Sequence, residues 1–543
     1  MSSLNKRNVS RDTGSISKKF EQGLRLQAQD RHAEAVSRFR KVLAAEPDHT
    51  EALCGLVQSL IATERSDEAV RLLDEVIDAA LAAPSLAQLQ DLAAVCLTVE
   101  YFEAAERLCR EILELNPACV TTLINLGAVL DRQGETQAAV DLLSRAIELD
   151  PGSASAYGSL GRVLANAAML DEAIACYRRA IELDPNRSST YTNLAAVLET
   201  TGRFEEMLLA CEQALQINPD CDATRWNLAR ALLATGYIEE GWDMYGFGFA
   251  SGQRLPLRPF PGLIWEGEDL KDKTIMVWRE QGLGDDILFS TCYTDLIAKA
   301  GHVIIETNPR LVSLYQRTWP EATVRAETPT STGHGNYGKI DFDVTAPAGM
   351  VAAQLRRSLD AFPAEVNRLV PDPARVAECR AWLDSLGPGP KIGLSWSSRV
   401  VTKLRSLVYT DLADWKQLFA IEGAHIINLQ YTDVSAEADA LFRDCRATLH
   451  SMPDLDLFND IEGAAALSSC LDVAVAPASF PLVLAAAVGV PCFHYLPQRV
   501  WTKLGTDGLP WLPHVRCYVL ESAPSREALT ASIAADVRAF TLG

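Results

Sequence analysis

No two of the thirteen cysteines form a CxxC pair, and none of the eight histidines falls in an HxxxH or HExxH spacing. A disulfide framework and a zinc site therefore lack sequence support, and the cysteines read as reduced, mostly buried thiols. The leading stretch "MSSLNKRNVSRDTGSIS" is polar and basic with no apolar core, so no secretory signal is expected. The longest uncharged run, Val473 to Gln498, contains Pro477, Pro481, Pro491 and Pro497. Such punctuation suits strand, turn and helix better than a membrane span. A soluble, cytoplasmic protein is expected. A basic surplus is missing too. The net charge is −21, and residues 42–250 hold thirteen Lys/Arg against thirty-three Asp/Glu, whereas residues 1–41 hold ten against four. This balance argues against nucleic-acid binding and leaves a solvated helical surface or a basic protein partner. With 543 residues, 48% of them hydrophobic, the chain can bury substantial cores over three or four domain-sized units.

What is present first is a repeat. "RFRKVLAAEP", "LCREILELNP", "LLSRAIELDP", "CYRRAIELDP" and "ACEQALQINP" end on prolines 47, 117, 151, 185 and 219, spaced by 34 from Pro117 onward, and Pro84 fills the first gap. Small residues keep the same register: Gly23, Gly127, Gly161 and Ala195, then Ala35, Ala105, Ala139 and Ala173. Small side chains are needed where two antiparallel helices touch, and proline cannot continue the second helix. The pattern resembles the tetratricopeptide repeat. Six repeats over about 16–221, followed by "ATRWNLARALLATGYIEEGWDMY", imply an α-solenoid whose concave face binds a peptide or protein segment.

Near Phe247 the periodicity stops, and "GFGFASGQRLPLRPFPGLIWEGEDL" reads as a linker. Beyond it, "KTIMVWRE", "HVIIETN", "ATVRAE", "KIGLSWSS", "AHIINLQY", "LDVAVAP" and "PCFHYLP" alternate with helical stretches, as parallel α/β units require. A break at "LGPGPK" divides them in two. The expected organisation is 1–15 disordered, 16–245 repeat superhelix, 246–272 linker, and 273–386 and 387–543 as two Rossmann-like lobes. Two doubly wound lobes facing each other leave a cleft at the carboxyl ends of their strands, the GT-B arrangement of many glycosyltransferases.

One loop stands out. In "WREQGLGDDILF", Gln281, Gly282 and Gly284 fall between a strand and a helix, where glycine permits positive φ and close approach of backbone N–H groups to a ligand. It matches neither GxGxxG nor a P-loop. An N-capping aspartate with two turn glycines is an equally good local reading. With Trp265, Gly267, Glu268, Lys273, Trp278 and Glu280, however, the wider stretch resembles bacterial proteins that join tetratricopeptide repeats to a transferase domain similar to family 9 heptosyltransferases, over about 237–520. That resemblance implies that Asp285 is the general base, with Asp286 left to cap the helix.

The same resemblance places the donor side in "GLSWSSRVVTKLRSL". It implies Lys403 and Arg405 as charges on the leaving phosphate and Ser397 and Ser398 as hydroxyl donors, with Gln430 and Glu437 bordering nucleotide or sugar. Exposed basic loop residues are the alternative for Lys403 and Arg405. At "APASFPLVLAAAVGVP" the chain departs from the family pattern. The pattern's Asp falls on Ala478, its Thr on Ser479 and its His on Val483, so Ser479 and the helix amides remain to hold a phosphate. Asp454 and Asp456 form a DxD whose position in "PDLDLFND" reads as turn chemistry, not a metal site.

The resemblance thus implies an inverting, metal-independent protein O-glycosyltransferase that needs no cofactor beyond a nucleotide-activated sugar. Its expected acceptor is a flagellin or another surface-filament subunit held by the repeats. For flagellins the implied donor is often a nonulosonic acid such as CMP-pseudaminic acid. Two alternatives stay open: a non-catalytic adaptor with a degenerate transferase domain, and a carbohydrate-assembly transferase.

Overall fold

The 34-residue spacing becomes helix pairs. The computed structural model describes residues 16–258, 260, 263–327, 340–398, 409–445, 447–496, 498–520 and 523–542, so the expectation for 1–15 lies outside the described residues. After a helix over 16–27 come His32–Leu43, then Thr50–Ala62 with Ser66–Ala82, Leu86–Thr98 with Phe102–Leu115, Val120–Arg132 with Thr136–Leu149, and Ala154–Asn166 with Leu170–Leu183. The small residues sit where the register put them: Ala35, Ala105, Ala139 and Ala173 are wholly buried. A Cβ on Gly127 would lie 2.9 Å from Leu143, and one on Gly161 3.0 Å from Tyr177. Between the two helices of each pair one residue takes positive φ: Asp30, Glu64, Glu100, Gly134, Ala168, Gly202 and Gly236. Gly134, Gly202 and Gly236 keep the repeat's period, and the last carries the register into the terminal helical segment.

Compact units divide between Asn186 and Arg187, inside the repeat array. The second unit contains Ser188–Thr200 with Phe204–Ile217, then Asp222–Thr235 with Ile238–Met244, and all of the α/β structure. An aromatic cluster joins the last helix, Ile238–Met244, to the α/β structure. Trp242 packs edge-on against Tyr245, Trp501 and Trp511, with centroids 4.9–6.3 Å apart, and Phe289 and Phe362 close on Trp511 at 5.6 and 5.0 Å. Rings this large bury enough apolar area to make the last helices part of the α/β body.

The α/β part contains two parallel sheets. The first runs β1 (Leu263–Ile264), β2 (Thr274–Trp278), β3 (His302–Thr307), β4 (Thr323–Ala326) and β5 (Val344–Pro347), in the order β1-β5-β2-β3-β4. The second runs β6 (Lys391–Leu394), β7 (His425–Asn428), β8 (Leu449–His450), β9 (Val473–Pro477), β10 (Cys492–Leu496) and β11 (Val515–Val519), in the order β11-β10-β9-β6-β7-β8. Strands β5, β6, β9 and β10 are buried at every residue, as parallel strands covered on both faces must be. The uncharged run from Val473 becomes β9, the helix Phe480–Ala487 and β10. Among the described residues no helix is long and apolar enough to cross a membrane.

The stretch 246–272 is not a bare connector. It contributes β1 to the first sheet, and Arg254 and Arg258 are 0% and 6% exposed. The Arg254 guanidinium is paired with the equally buried Glu280 and lies 4.0 Å from the ring centroids of Tyr245 and Phe249. Arg258 joins Glu306 and Glu327, each at 2.6 Å. A segment rich in Gly and Pro therefore docks through two buried cations, which composition alone does not reveal.

Candidate functional site

Each sheet changes direction once. In the first, the chain moves from β2 outward to β3 and β4, then returns to β5 on the other side of β2. In the second, it moves from β6 to β7 and β8, then returns to β9 on the other side of β6. Connections leaving a reversal point run to opposite faces and open a crevice at the carboxyl ends of the strands. Both crevices open on one cavity of about 660 Å³. It is lined by Gly282, Gly284 and Asp285 after β2, Arg310 after β3, Ser398 after β6, Tyr431 after β7, Ala478 and Ser479 after β9, and Gln498 and Thr502 after β10.

On the first wall the loop is shaped by Gln281, which takes φ +57, whereas Gly282 has an ordinary φ of −84. Gln281 N–H donates to Leu255 carbonyl at 2.6 Å, and Arg279 Nη1 donates to the Gln281 carbonyl at 2.8 Å. Neither glycine is thus required for positive φ. Neighbours do not demand one either: a Cβ on Gly284 would reach only Val483, at 4.0 Å. What these glycines leave is open space beside backbone N–H groups at the start of the helix Leu283–Ser290.

The helix cap falls to Asp285 and not to Asp286, the residue expected to provide it. Asp285 lines the cavity, and its Oδ2 accepts from Gly282 N–H at 3.1 Å, capping the helix. Asp286 points the other way and is wholly buried, accepting from Thr307 Oγ1 at 2.5 Å and Tyr315 OH at 3.4 Å. Burial pushes its carboxyl up to about 7 from 3.8, against the two hydrogen bonds and Arg279, which pull it down. The helix turns successive residues through 100°, so adjacent aspartates cannot share one environment. Sequence could not say which of them faced out.

Behind this wall Glu280 accepts from Gly349 N–H at 2.9 Å and from Arg254, and a Cβ on Gly349 would fall 2.0 Å from Glu280 Oε1. Burial raises the Glu280 carboxyl, while Arg254 and the Gly349 amide act in the opposite direction.

On the second wall the residues expected to bind donor separate into two groups. Ser398 and Ser479 line the cavity; Ser398 Oγ is 2.6 Å from Tyr431 OH, and Ser479 precedes the helix Phe480–Ala487. Ser397, Gln430 and Glu437 are not part of the cavity wall. Gln430 is 2% exposed, and its Oε1 accepts from Ser395 Oγ at 2.9 Å, Ser397 N at 3.2 Å and Trp396 N at 3.3 Å. Its Nε2 donates to Ser397 Oγ and Thr432 Oγ1, both at 3.1 Å. Gln430 is thus a clamp on the loop after β6, and Glu437 accepts from Trp396 Nε1 at 2.7 Å to fix the same loop. Lys403 and Arg405 lie outside the described residues.

Sequence reasoning missed Arg310, Tyr409, Tyr431, Phe458 and His494, all on the cavity. Arg310 Nη1 donates to Phe458 carbonyl at 2.8 Å, and its guanidinium lies 5.2 Å from the Phe458 ring centroid. His494 Nδ1 is 3.3 Å from Ala476 carbonyl, which only accepts, so Nδ1 carries the proton and Nε2 is an acceptor. Burial, with Lys503 nearby, pushes the imidazole down to about 4. "NPR" after a strand was the available signal for Arg310; the aromatics gave none. Asp456, in the DxD, accepts from Phe458 N and Asn459 N at 3.0 Å and closes its own turn.

Tetratricopeptide repeat families match residues 26–93 and 132–198, 100–154, and 188–221. The helix pairs are tetratricopeptide repeats. A curated relative, Protein FlbA of Caulobacter vibrioides, is 33% identical over 313 residues, 55% of this chain and 52% of the relative. The chain thus spans about half the length of the curated relative it matches. Among solved structures, a thermophilic tetratricopeptide repeat protein of Thermus thermophilus is 20% identical with a TM-score of 0.27, covering 40% of this chain and 99% of its own. MamA of Desulfovibrio magneticus is 17% identical with a TM-score of 0.28, covering 31% and 95%. At these scores nothing further follows from either.

Proposed function

We propose that the α/β part is a glycosyltransferase of GT-B type that moves a sugar from a nucleotide-activated donor to Ser or Thr of a protein held by the repeats. One observation carries this reading: the reversal points of both sheets open on a single cavity, with a carboxylate on one wall and a helix N-terminus on the other. Asp285 takes the proton from the acceptor hydroxyl, whose oxygen attacks the anomeric carbon. The bond to the nucleotide phosphate breaks with inversion, and the departing phosphate leaves with the electron pair. Ser479 and the amides that open the Phe480–Ala487 helix receive that charge. Tyr409, Tyr431 and Phe458 offer flat faces for a nucleobase.

A flagellin or another surface-filament subunit, modified before export, is the acceptor this reading favours, with a nonulosonic acid such as pseudaminic acid as the sugar. Intact-mass comparison of the filament protein from wild-type and deletion cells tests it. A mass loss equal to whole sugar units supports transfer, and identical masses contradict it for that acceptor.

A second reading is an adaptor whose transferase fold only docks a client. The engagement of Asp285 with Gly282 N–H and the apolar Ala478 and Val483 on the cavity wall favour it. Nucleotide-sugar binding separates the two, because an adaptor has no need of it.

A further inference from the structure

Arginines in and around the first sheet are paired. Every arginine from Arg254 to Arg357 except Arg310 lies within ion-pair reach of an aspartate or glutamate. Arg310 is also the one cation among the described residues that line the cavity. It follows β3 in the short 3-10 turn Pro309–Leu311 and is half-buried. The strand before it pairs with β2, whose carboxyl end leads to Asp285.

Neutral groups hold Arg310 instead. Asn308 Oδ1 accepts from Arg310 N and Nε, both at 3.1 Å, and the Phe458 carbonyl accepts from Nη1 at 2.8 Å. The guanidinium also lies 5.2 Å from the Phe458 ring centroid. Asn308 follows β3 of the first sheet and Phe458 lies between β8 and β9 of the second, so the fork is fixed from both sides. These contacts set its position and leave its charge uncompensated. Nη2 donates to no described residue and is not sealed from water. Asp285, the carboxylate on the cavity, caps its own helix through Gly282 N–H and is not a partner of Arg310. A guanidinium stays charged at any working pH, and its paired N–H groups match the two oxygens of a phosphate or a carboxylate.

We propose that Arg310 binds an oxyanion of the donor in this cavity. The assignment rests on the transferase reading above and adds to it a charge on the wall that carries Asp285. A nucleotide-activated sugar offers this chemistry from two sources, its phosphate or a carboxylate on the sugar. In both cases the guanidinium is in place before the ligand arrives, so little freedom is lost on binding. No protein carboxylate competes for it.

The test is calorimetry on the full-length protein as wild type, Arg310→Gln and Arg310→Lys. The probes are the ribonucleosides, their mono- and diphosphates, and CMP-N-acetylneuraminic acid. Arg310→Gln keeps a donor for the Phe458 carbonyl and removes the charge. It is expected to weaken the charged probes that bind wild type by about 10- to 100-fold and to leave the nucleosides unaffected. Arg310→Lys should recover part of that loss. A loss already present with the nucleotides puts the phosphate on Arg310, and a loss confined to CMP-N-acetylneuraminic acid puts the sugar carboxylate there. Charged probes that bind Arg310→Gln as tightly as wild type overturn the assignment and leave the transferase reading standing. Equal weakening of nucleosides and nucleotides, or no recovery in Arg310→Lys, also overturns it, because the side chain then only shapes the wall. If no charged probe binds wild type at millimolar concentration, the transferase reading fails and this assignment with it.

Discussion

Behind the wall that carries Asp285 stand three ionisable groups without access to water, Arg254, Glu280 and Asp286; behind the wall that carries Ser479 stand Pro481, Leu482, Leu484 and Ala485. The first wall is rigid because buried charges fix it from several directions at once. The linker, the end of β2 and the helix Ala348–Leu355 meet at the Arg254–Glu280 pair. The second is fixed by apolar packing, by the neutral amide of Gln430, which gathers the loop after β6, and by Glu437, which holds Trp396 of that loop. Charges cost heavily to bury and so define one geometry, which suits a group that must be aimed at a reacting atom. Apolar packing tolerates adjustment and suits a site that accepts a ligand.

The sharpest way to break this comparison is to remove one charge from the first wall. Glu280→Ala leaves Arg254 buried and uncompensated and is expected to cost about 3–5 kcal/mol in urea denaturation, with loss of any cavity ligand. A cost under about 1 kcal/mol means that the pair does not organise the wall.

Next comes pH. Burial holds Asp286 up at about 7, so the unfolded chain ionises it before the folded one does. The contribution of Asp286 to stability is therefore fully present below about pH 4 and is lost as pH rises to about 7, on the order of 4 kcal/mol in all. Asp286→Asn, which keeps an acceptor for Thr307 and Tyr315, removes this slope. The stability difference between variant and wild type should widen from pH 4 to 7 and then level off; parallel pH curves contradict the burial argument.

On the second wall the expected effect is smaller. Gln430→Ala withdraws the acceptor from Ser395 Oγ and from the amides of Trp396 and Ser397, costing about 1–3 kcal/mol. The deficit should appear in urea denaturation without the pH dependence of the first wall. Smallest is Gly284→Ala, where the added methyl meets only Val483, at 4.0 Å. It should gain up to about 1 kcal/mol from helix propensity while weakening cavity ligands. A gain in stability with unchanged ligand affinity shows that nothing approaches that backbone.

The repeat array was legible because proline and small residues mark helix contacts directly, as Gly127 against Leu143 and Gly161 against Tyr177 show. Strands β2, β3, β4, β6, β7, β9 and β10 were legible as β-branched runs between helices. β1 and β8 were not, since two residues carry no period, and β5 is a four-residue stretch that ends in proline. At the site, the loop 281–285 and Ser479 were visible as turn and helix-start chemistry. The resemblance placed Gln430 and Glu437 on the ligand, and their residue types read the same whether they face a cavity or clamp a loop. His494 gave no signal, as its place on the cavity depends on burial.

The most direct measurement is transfer itself: purified full-length protein, a nucleotide-activated sugar and flagellin from cells lacking this protein, followed by intact mass. Wild type should add sugar, and Asp285→Asn should fold and bind the nucleotide yet transfer about 10²–10⁴-fold more slowly, because an amide cannot take the acceptor proton. Transfer by Asp285→Asn at the wild-type rate contradicts the role given to the first wall.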